Sequence, residues 1–197
     1  LRNRLKLDLL DFSKDRVVKK VIEFQNKQNS CLLEVGCSNG KRLSYLSNQG
    51  FEVFGVEPSS SAVNEANNYG FEVVKGTADK LEYADQKFDC VIFGFCLYLV
   101  EPIDYFKVLS EAYRVLKDGG VIIINDFAPR HFYKKEYIHA EGVKTYKYEH
   151  NNLFLAHPHF HLVSSEKYTH SNNQSDMNVQ DEWCHVSVLR KQINLFQ

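Results

Sequence analysis

Between residues 31 and 125 short apolar runs alternate with segments of helical period, and few folds accommodate that alternation. The spacing predicts strands over 31–35, 51–56, 71–75, 88–93 and 121–125. Gly36 stops the first, and 88–93 is apolar almost throughout, as a strand buried on both faces should be. Helices are predicted over 41–48, closed by Gly50, over 59–69, entered through Pro58 and Ser59 and stopped by Gly70, and over 103–116. Strands that alternate with helices imply a parallel sheet covered on both faces, a three-layer α/β sandwich. Ligands of such sheets bind beyond the carboxyl ends of the strands, where the strand order reverses. Attention therefore falls on the turn after the first strand, Gly36 to Gly40.

The flanks differ. Residues 5–28 carry a helical pattern, with Ser13 and Arg16 as a start signal for a second helix. After 126, Tyr146, Tyr148, 153–155 and 157–163 read as strand or loop, and 171–181 is polar and turn-rich. From 183 to 190, Trp183, His185, Ser187 and Leu189 alternate with Cys184, Val186, Val188 and Arg190, the pattern of a half-buried strand. Two long strands joined by a polar connection predict an antiparallel hairpin at the sheet's edge. On a strand, His157, His159 and His161 would share one face, as zinc ligands can. No Cys or acid stands at ligand spacing beside them, and Pro158 disturbs a ladder, so no metal is assigned. Pocket lining and an ordinary edge strand are the other readings.

The turn reads Leu32-Leu33-Glu34-Val35-Gly36-Cys37-Ser38-Asn39-Gly40. Small residues at 36, 38 and 40 let a ligand approach the backbone, and the helix beyond offers N–H groups. A dinucleotide fingerprint would place its third glycine at 41, where Lys41 stands, and no phosphate-loop spacing is present. Glu34, two residues before the first glycine, would repel a pyrophosphate but suits an ammonium group. S-adenosylmethionine (SAM) has no phosphate and carries an amino-acid end, so the loop fits SAM better than a nicotinamide cofactor. Glu57 ends the second strand, where an acid accepts hydrogen bonds from ribose hydroxyls or favours a helix N-terminus.

With these residues in view, the chain resembles the class I SAM-dependent methyltransferases, in particular their broad small-molecule group known as type 11. The matching segments are LLEVGCSNG, VFGVEPS, VKGTADKLEYADQKFDCVIF and LSEAYRVLKDGGVIIIND, in the family's order over 31–126. The resemblance implies a Rossmann-like, mostly parallel seven-stranded sheet of order 3-2-1-4-5-7-6 with an antiparallel last strand. It implies one domain: an N-terminal helical segment (1–28), a SAM-binding core (31–126), and an acceptor-side lid with the hairpin (127–197). Carried over residue by residue, Glu34, Gly36, Cys37, Ser38 and Gly40 form the loop against methionine and ribose. Glu57 is the ribose acid, followed by Pro58; Thr77, Ala78 and Asp79 bracket adenine; Phe93 and Gly94 end strand four under the methionine. Two positions depart from the family pattern. Ser38 replaces a glycine, and Thr77 stands where an Asp often meets the adenine amino group.

Acceptor-side signals are weaker. An oxygen acceptor needs its proton removed, whereas an amine needs only to be neutral. Tyr98, Asp126 and His131, with Tyr133, are candidates from their places after strands four and five. No Asn/Asp-Pro-Pro-Tyr element follows strand four, where Phe93-Gly94-Phe95-Cys96 stands, and the formal net charge is −1. Neither favours nucleic acid. The expected acceptor is a small molecule, methylated on O or N: a sugar, lipid precursor or metabolite. The other reading is a catalytically silent SAM-binding or interaction module. No apolar run approaches a membrane span, the charged N-terminus does not read as a signal peptide, and an odd set of five cysteines without a CxxC pair fits reduced thiols in a cytoplasmic setting.

Overall fold

Leu33 and Val35 face one layer of helices while Leu32 faces another, and this two-sided burial repeats along the central strands. A computed structural model describes residues 11–25, 30–137, 141–170 and 182–193. Its elements are α1 (Arg16–Phe24), β1 (Cys31–Val35), α2 (Lys41–Asn48), β2 (Glu52–Glu57), α3 (Ser60–Asn67), β3 (Glu72–Lys75), β4 (Phe88–Gly94), α4 (Tyr105–Val115), β5 (Leu116–Phe127), β6 (Tyr133–Glu136), β7 (Lys144–Lys147), α5 (Asn151–Leu155), β8 (Phe160–Thr169) and β9 (Trp183–Lys191).

Seven strands form one sheet in the order β3-β2-β1-β4-β5-β9-β8. Strands β1 to β5 pair in parallel, and β9 runs antiparallel to both β5 and β8. Leaving aside the separate two-stranded β6–β7 hairpin, this is the order 3-2-1-4-5-7-6 with the last strand reversed. Val17, Val18 and Val21 of α1, Leu43 and Leu46 of α2, and Val63 and Ala66 of α3 cover one face, over Leu32, Cys90, Ile92, Val121 and Ile123. On the other face Val108, Ala112 and Val115 of α4 and Leu153 and Phe154 of α5 cover Leu33, Val91, Phe93, Ile122 and Ile124. The side chains of 90–93 on β4 and 121–124 on β5 thus have a helix above or below them, which is why those stretches are unbroken apolar.

Four expectations need correction. The first described helix starts from Asp15, whose side chain accepts the Val18 N–H, and not from Ser13, whose own N–H is taken by Asp11; residues 1–10 and 26–29 of the expected helical stretch lie outside the described residues. Residues 153–155 are helical, because Leu153 and Phe154 must face the sheet together and a short helix presents both. His157, Pro158 and His159 form the turn before β8, so only His161 is on the strand. Strand β9 is buried on both faces from Cys184 to Leu189, since it lies inside the sheet between β5 and β8. The polar segment 171–181 lies outside the described residues.

Candidate functional site

The first βα turn lies where strand order reverses, since β1 has β2 on one side and β4 on the other. Its backbone bends through Gly36 at φ +73° and Ser38 at φ +50°. Gly36 N–H and Cys37 N–H both donate to the Val56 carbonyl, at 2.8 and 3.2 Å. A Cβ on Gly36 would lie 2.5 Å from the Cys96 Cβ, so the loop can run this close to the β4 end only as glycine. Ser38 occupies the left-handed region that makes glycine the usual residue there. At the end of β2, Glu57 accepts the Ser38 N–H on one oxygen and the Ser59 N–H on the other, each at 2.9 Å. Ser59 in turn caps α3, its hydroxyl accepting from Ala62 N–H at 3.4 Å.

These pieces border a cleft of about 490 Å³. Of the residues singled out in the sequence, Gly36, Ser38, Glu57, Pro58, Thr77, Ala78, Asp79 and Tyr98 line it. The others stand behind. Cys37 is buried under the loop, its thiol raised by burial, and a Cβ on Gly55 would press within 2.6 Å of its sulfur. Gly40 opens α2, and a Cβ there would meet Ala66 and the Phe71 ring at 3.0 Å. Phe93 is fully buried against Phe154, ring centroids 5.6 Å apart.

Glu34 is 1% exposed and points below the turn. One of its oxygens is held by Arg42, whose guanidinium also reaches Asp15 at 3.3 Å. A Cβ on Gly94 would lie 2.6 Å from the Arg42 Nη1, so this glycine makes room for the guanidinium. Burial pushes the Glu34 carboxyl up and Arg42 draws it back down. Among the described residues, Glu34 Oε2 and Arg42 Nε are buried without a hydrogen-bond partner. An amino-acid end brings the groups such atoms lack. Arg42 gave no signal in the sequence, because its partners lie 8 and 27 residues away.

A second chamber of about 560 Å³ adjoins the first. Phe95, Tyr98 and Tyr137 wall both. Phe95 follows β4 with φ +56°, a conformation costly for an aromatic residue, pinned by its N–H to the Asn125 carbonyl at 2.8 Å. The candidate bases separate here. Tyr98 faces both chambers, but burial, then Tyr137 beside it, raises its hydroxyl well above the ordinary range. Asp126 is 2% exposed and turned inward, accepting N–H groups of Leu97 (2.9 Å), Tyr98 (3.3 Å) and Phe127 (2.8 Å). Burial pushes its carboxyl to about 7. His131 and Tyr133 are exposed and border neither chamber. His170, which the sequence reading did not single out, borders the second chamber and packs on the Phe95 and Phe127 rings, whereas His157 and His159 pack on Tyr113, with Tyr113 Oη to His159 Nδ1 2.8 Å. Among the described residues no cluster of three His, Cys, Asp or Glu could hold a metal.

Residues 33–124 match a methyltransferase domain family model. The chain is 34% identical over 106 residues to a fatty-acid O-methyltransferase of Mycolicibacterium smegmatis, covering 51% of this chain and 38% of that one. The chain spans about a quarter to a half of the lengths of the curated relatives it matches. A SAM-dependent methyltransferase from Methanosarcina mazei superposes with a TM-score of 0.73 at 16% identity, over 88% of this chain and 98% of that one. The 1,6-didemethyltoxoflavin-N1-methyltransferase of Burkholderia thailandensis, solved with 1,6-didemethyltoxoflavin and S-adenosylhomocysteine, superposes with 0.71 at 18% identity, over 93% and 80%. Residues 33–124, just under half of the chain, thus match the methyltransferase domain family, and the seven-stranded order with the turn at its reversal point has the fold of the SAM-dependent methyltransferase from Methanosarcina mazei.

Proposed function

We propose that this chain transfers the methyl group of SAM to an oxygen or nitrogen of a small molecule held in the second chamber. The observation that carries the reading is the shared wall: Phe95, Tyr98 and Tyr137 border both the cleft at the Gly36 turn and the chamber beside it. When bound, SAM supplies an electrophilic methyl on a sulfonium. The chain's own groups then have separate tasks. Glu57, held by two backbone N–H donors, turns its remaining lone pairs to the ribose hydroxyls. Thr77, Ala78 and Asp79 flank adenine. Glu34 Oε2 takes the ammonium, with Arg42 fixing the carboxylate behind it. The aromatic wall excludes water and holds the acceptor in line, where orientation supplies much of the rate.

The relatives methylate different atoms by name, one an oxygen and one a nitrogen. Five free cysteines and the lack of any described helix long and apolar enough to cross a membrane fit a reducing cytoplasmic setting. Incubation with methyl-labelled SAM and pools of extracted small molecules should yield labelled product. SAM binding with no labelled product from any pool would favour the silent binding module instead.

A further inference from the structure

At the outer edge of the sheet, β8 pairs with β9 so that Lys167 stands opposite His185 and Ser165 opposite Ser187. Opposed residues share a face, which makes Ser165 and His185 diagonal neighbours. Ser165 Oγ lies 2.8 Å from His185 Nε2. Glu149 Oε1, from the segment before α5, lies 3.3 Å from His185 Nδ1, and Lys167 Nζ holds the same oxygen at 2.9 Å. A carboxylate only accepts, so it favours the ring proton on Nδ1 and leaves Nε2 to accept from the Ser165 hydroxyl. None of the three residues borders either chamber. We propose that Ser165, His185 and Glu149 form a second site, in which Ser165 is a nucleophile toward small esters, His185 its base and Glu149 the positioning residue. The site is independent of the methyl-donor reading.

The nucleophile is reachable while its base is sheltered: Ser165 is exposed on the edge strand and His185 is 5% exposed. Burial lowers the imidazole below its ordinary value, Glu149 draws it back up and Lys167 pushes it down. At neutral pH it is therefore unprotonated and able to take a proton. Asp126, opposite His185 on β5, gives its oxygens to the N–H groups of Leu97, Tyr98 and Phe127 instead. The register shifts between Leu162 and Ser164, so Leu162 pairs with Leu189 while Ser165 pairs with Ser187. This bulge puts Leu162 on the face of Ser165, although three residues separate them. Leu162 is 45% exposed and offers an acyl chain an apolar surface. The Ser187 hydroxyl, opposite Ser165, is buried without a partner among the described residues, so an uncommitted donor stands beside the nucleophile. Ser165 Oγ adds to the ester carbonyl as its proton passes to His185 Nε2. The adduct collapses, its C–O bond to the alcohol breaks, and the leaving alkoxide takes that proton. Water, deprotonated in the same way, cleaves the acyl–Ser165 bond, so ester and water give acid and alcohol.

The test treats the full chain with an alkyl fluorophosphonate and, separately, with 4-nitrophenyl butyrate. Peptide mass spectrometry should find the phosphonyl group on Ser165, with fluoride released, and the ester should release 4-nitrophenolate. Ser165→Ala should abolish both reactions. His185→Gln should slow both at least about a hundredfold, the worth of a general base. Circular dichroism and Tm show that each variant is folded, and the exposed Ser165→Ala decides the matter alone if His185→Gln does not fold. Glu149→Gln removes the charge that raises the His185 imidazole, so the pH midpoint of the labelling rate should move down. A folded wild-type chain unlabelled at Ser165, hydrolysis undiminished in Ser165→Ala, a folded His185→Gln that labels at the wild-type rate, or a pH midpoint unmoved by Glu149→Gln would overturn the proposal.

Discussion

Glu57 ties the first two βα turns together through Ser38: one carboxylate oxygen accepts the Ser38 N–H at 2.9 Å while the other accepts the Ser59 N–H at 2.9 Å. A single acid therefore holds the glycine turn and the start of α3 at a fixed separation, with the cleft between them.

Glu57→Ala removes both anchors and the group assigned to the ribose. S-adenosylhomocysteine affinity should fall at least about thirtyfold, since hydrogen bonds to a charged group contribute about 1.5–3 kcal/mol each. Glu57→Gln retains the shape but presents an N–H to one of the two backbone donors, and should fall between. Calorimetry reads both. Unchanged affinity in Glu57→Ala would remove this end of β2 from the donor site.

Arg42 and Glu34 form a buried pair beneath that turn, with side chains 17% and 2% exposed. Arg42→Met should cost about 3–5 kcal/mol in urea unfolding, because it strands the Glu34 charge without its partner. Adding Glu34→Gln to Arg42→Met should recover most of that loss, as a neutral amide beside an apolar chain carries no unpaired charge. The double variant should still bind S-adenosylhomocysteine poorly. Recovery of stability together with full affinity would show that the pair serves folding alone.

How far the sequence carried the reading differs from one feature to the next. Strands β1 to β5 were legible because their apolar runs are bounded by Gly36, Gly50, Gly70 and Gly119, four residues the structure holds at positive φ. Glu57 was legible because strand ends are fixed by local pattern. Arg42 was not, nor was His170 at the second chamber, because these depend on which segments meet in space. The β6–β7 hairpin carries too few apolar residues to show a period: all four positions of β6 are exposed. Residues 153–155 misled for a related reason, since a five-residue helix is shorter than the period needed to recognise it.

Tyr98 can be tested directly as a base, since it borders both chambers. Burial and Tyr137 hold its hydroxyl protonated through neutral pH, so Tyr98→Phe should leave kcat within about fivefold, well short of the 10²–10⁴ typical of a lost general base. The pH–rate profile should keep its shape. A loss of a thousandfold, with the profile's basic limb displaced, would make Tyr98 a proton acceptor.

Asp126 gives the chain a pH-dependent stability with a definite sign. Burial raises its carboxyl in the folded state to about 7, against 3.8 for the unconstrained residue. The folded chain thus binds this proton more tightly than the unfolded chain. Its contribution is fully present below about pH 4 and is lost as pH rises toward 7, by about 4 kcal/mol at most. The opposing pull comes from the backbone N–H groups of Leu97, Tyr98 and Phe127, which favour the ionised form. Glu111, which its hydrogen bond to Arg114 holds below the usual range, contributes with the opposite sign. The measurement is therefore a difference: urea unfolding of the wild-type chain minus that of Asp126→Asn, at pH 4.5 and at 7.5. Asparagine keeps an acceptor for the Leu97 N–H but cannot titrate. The wild-type advantage should shrink by several kcal/mol between the two pH values. An advantage that is flat or grows would show that the three N–H donors outweigh desolvation, and that the carboxylate beneath Tyr98 is ionised throughout.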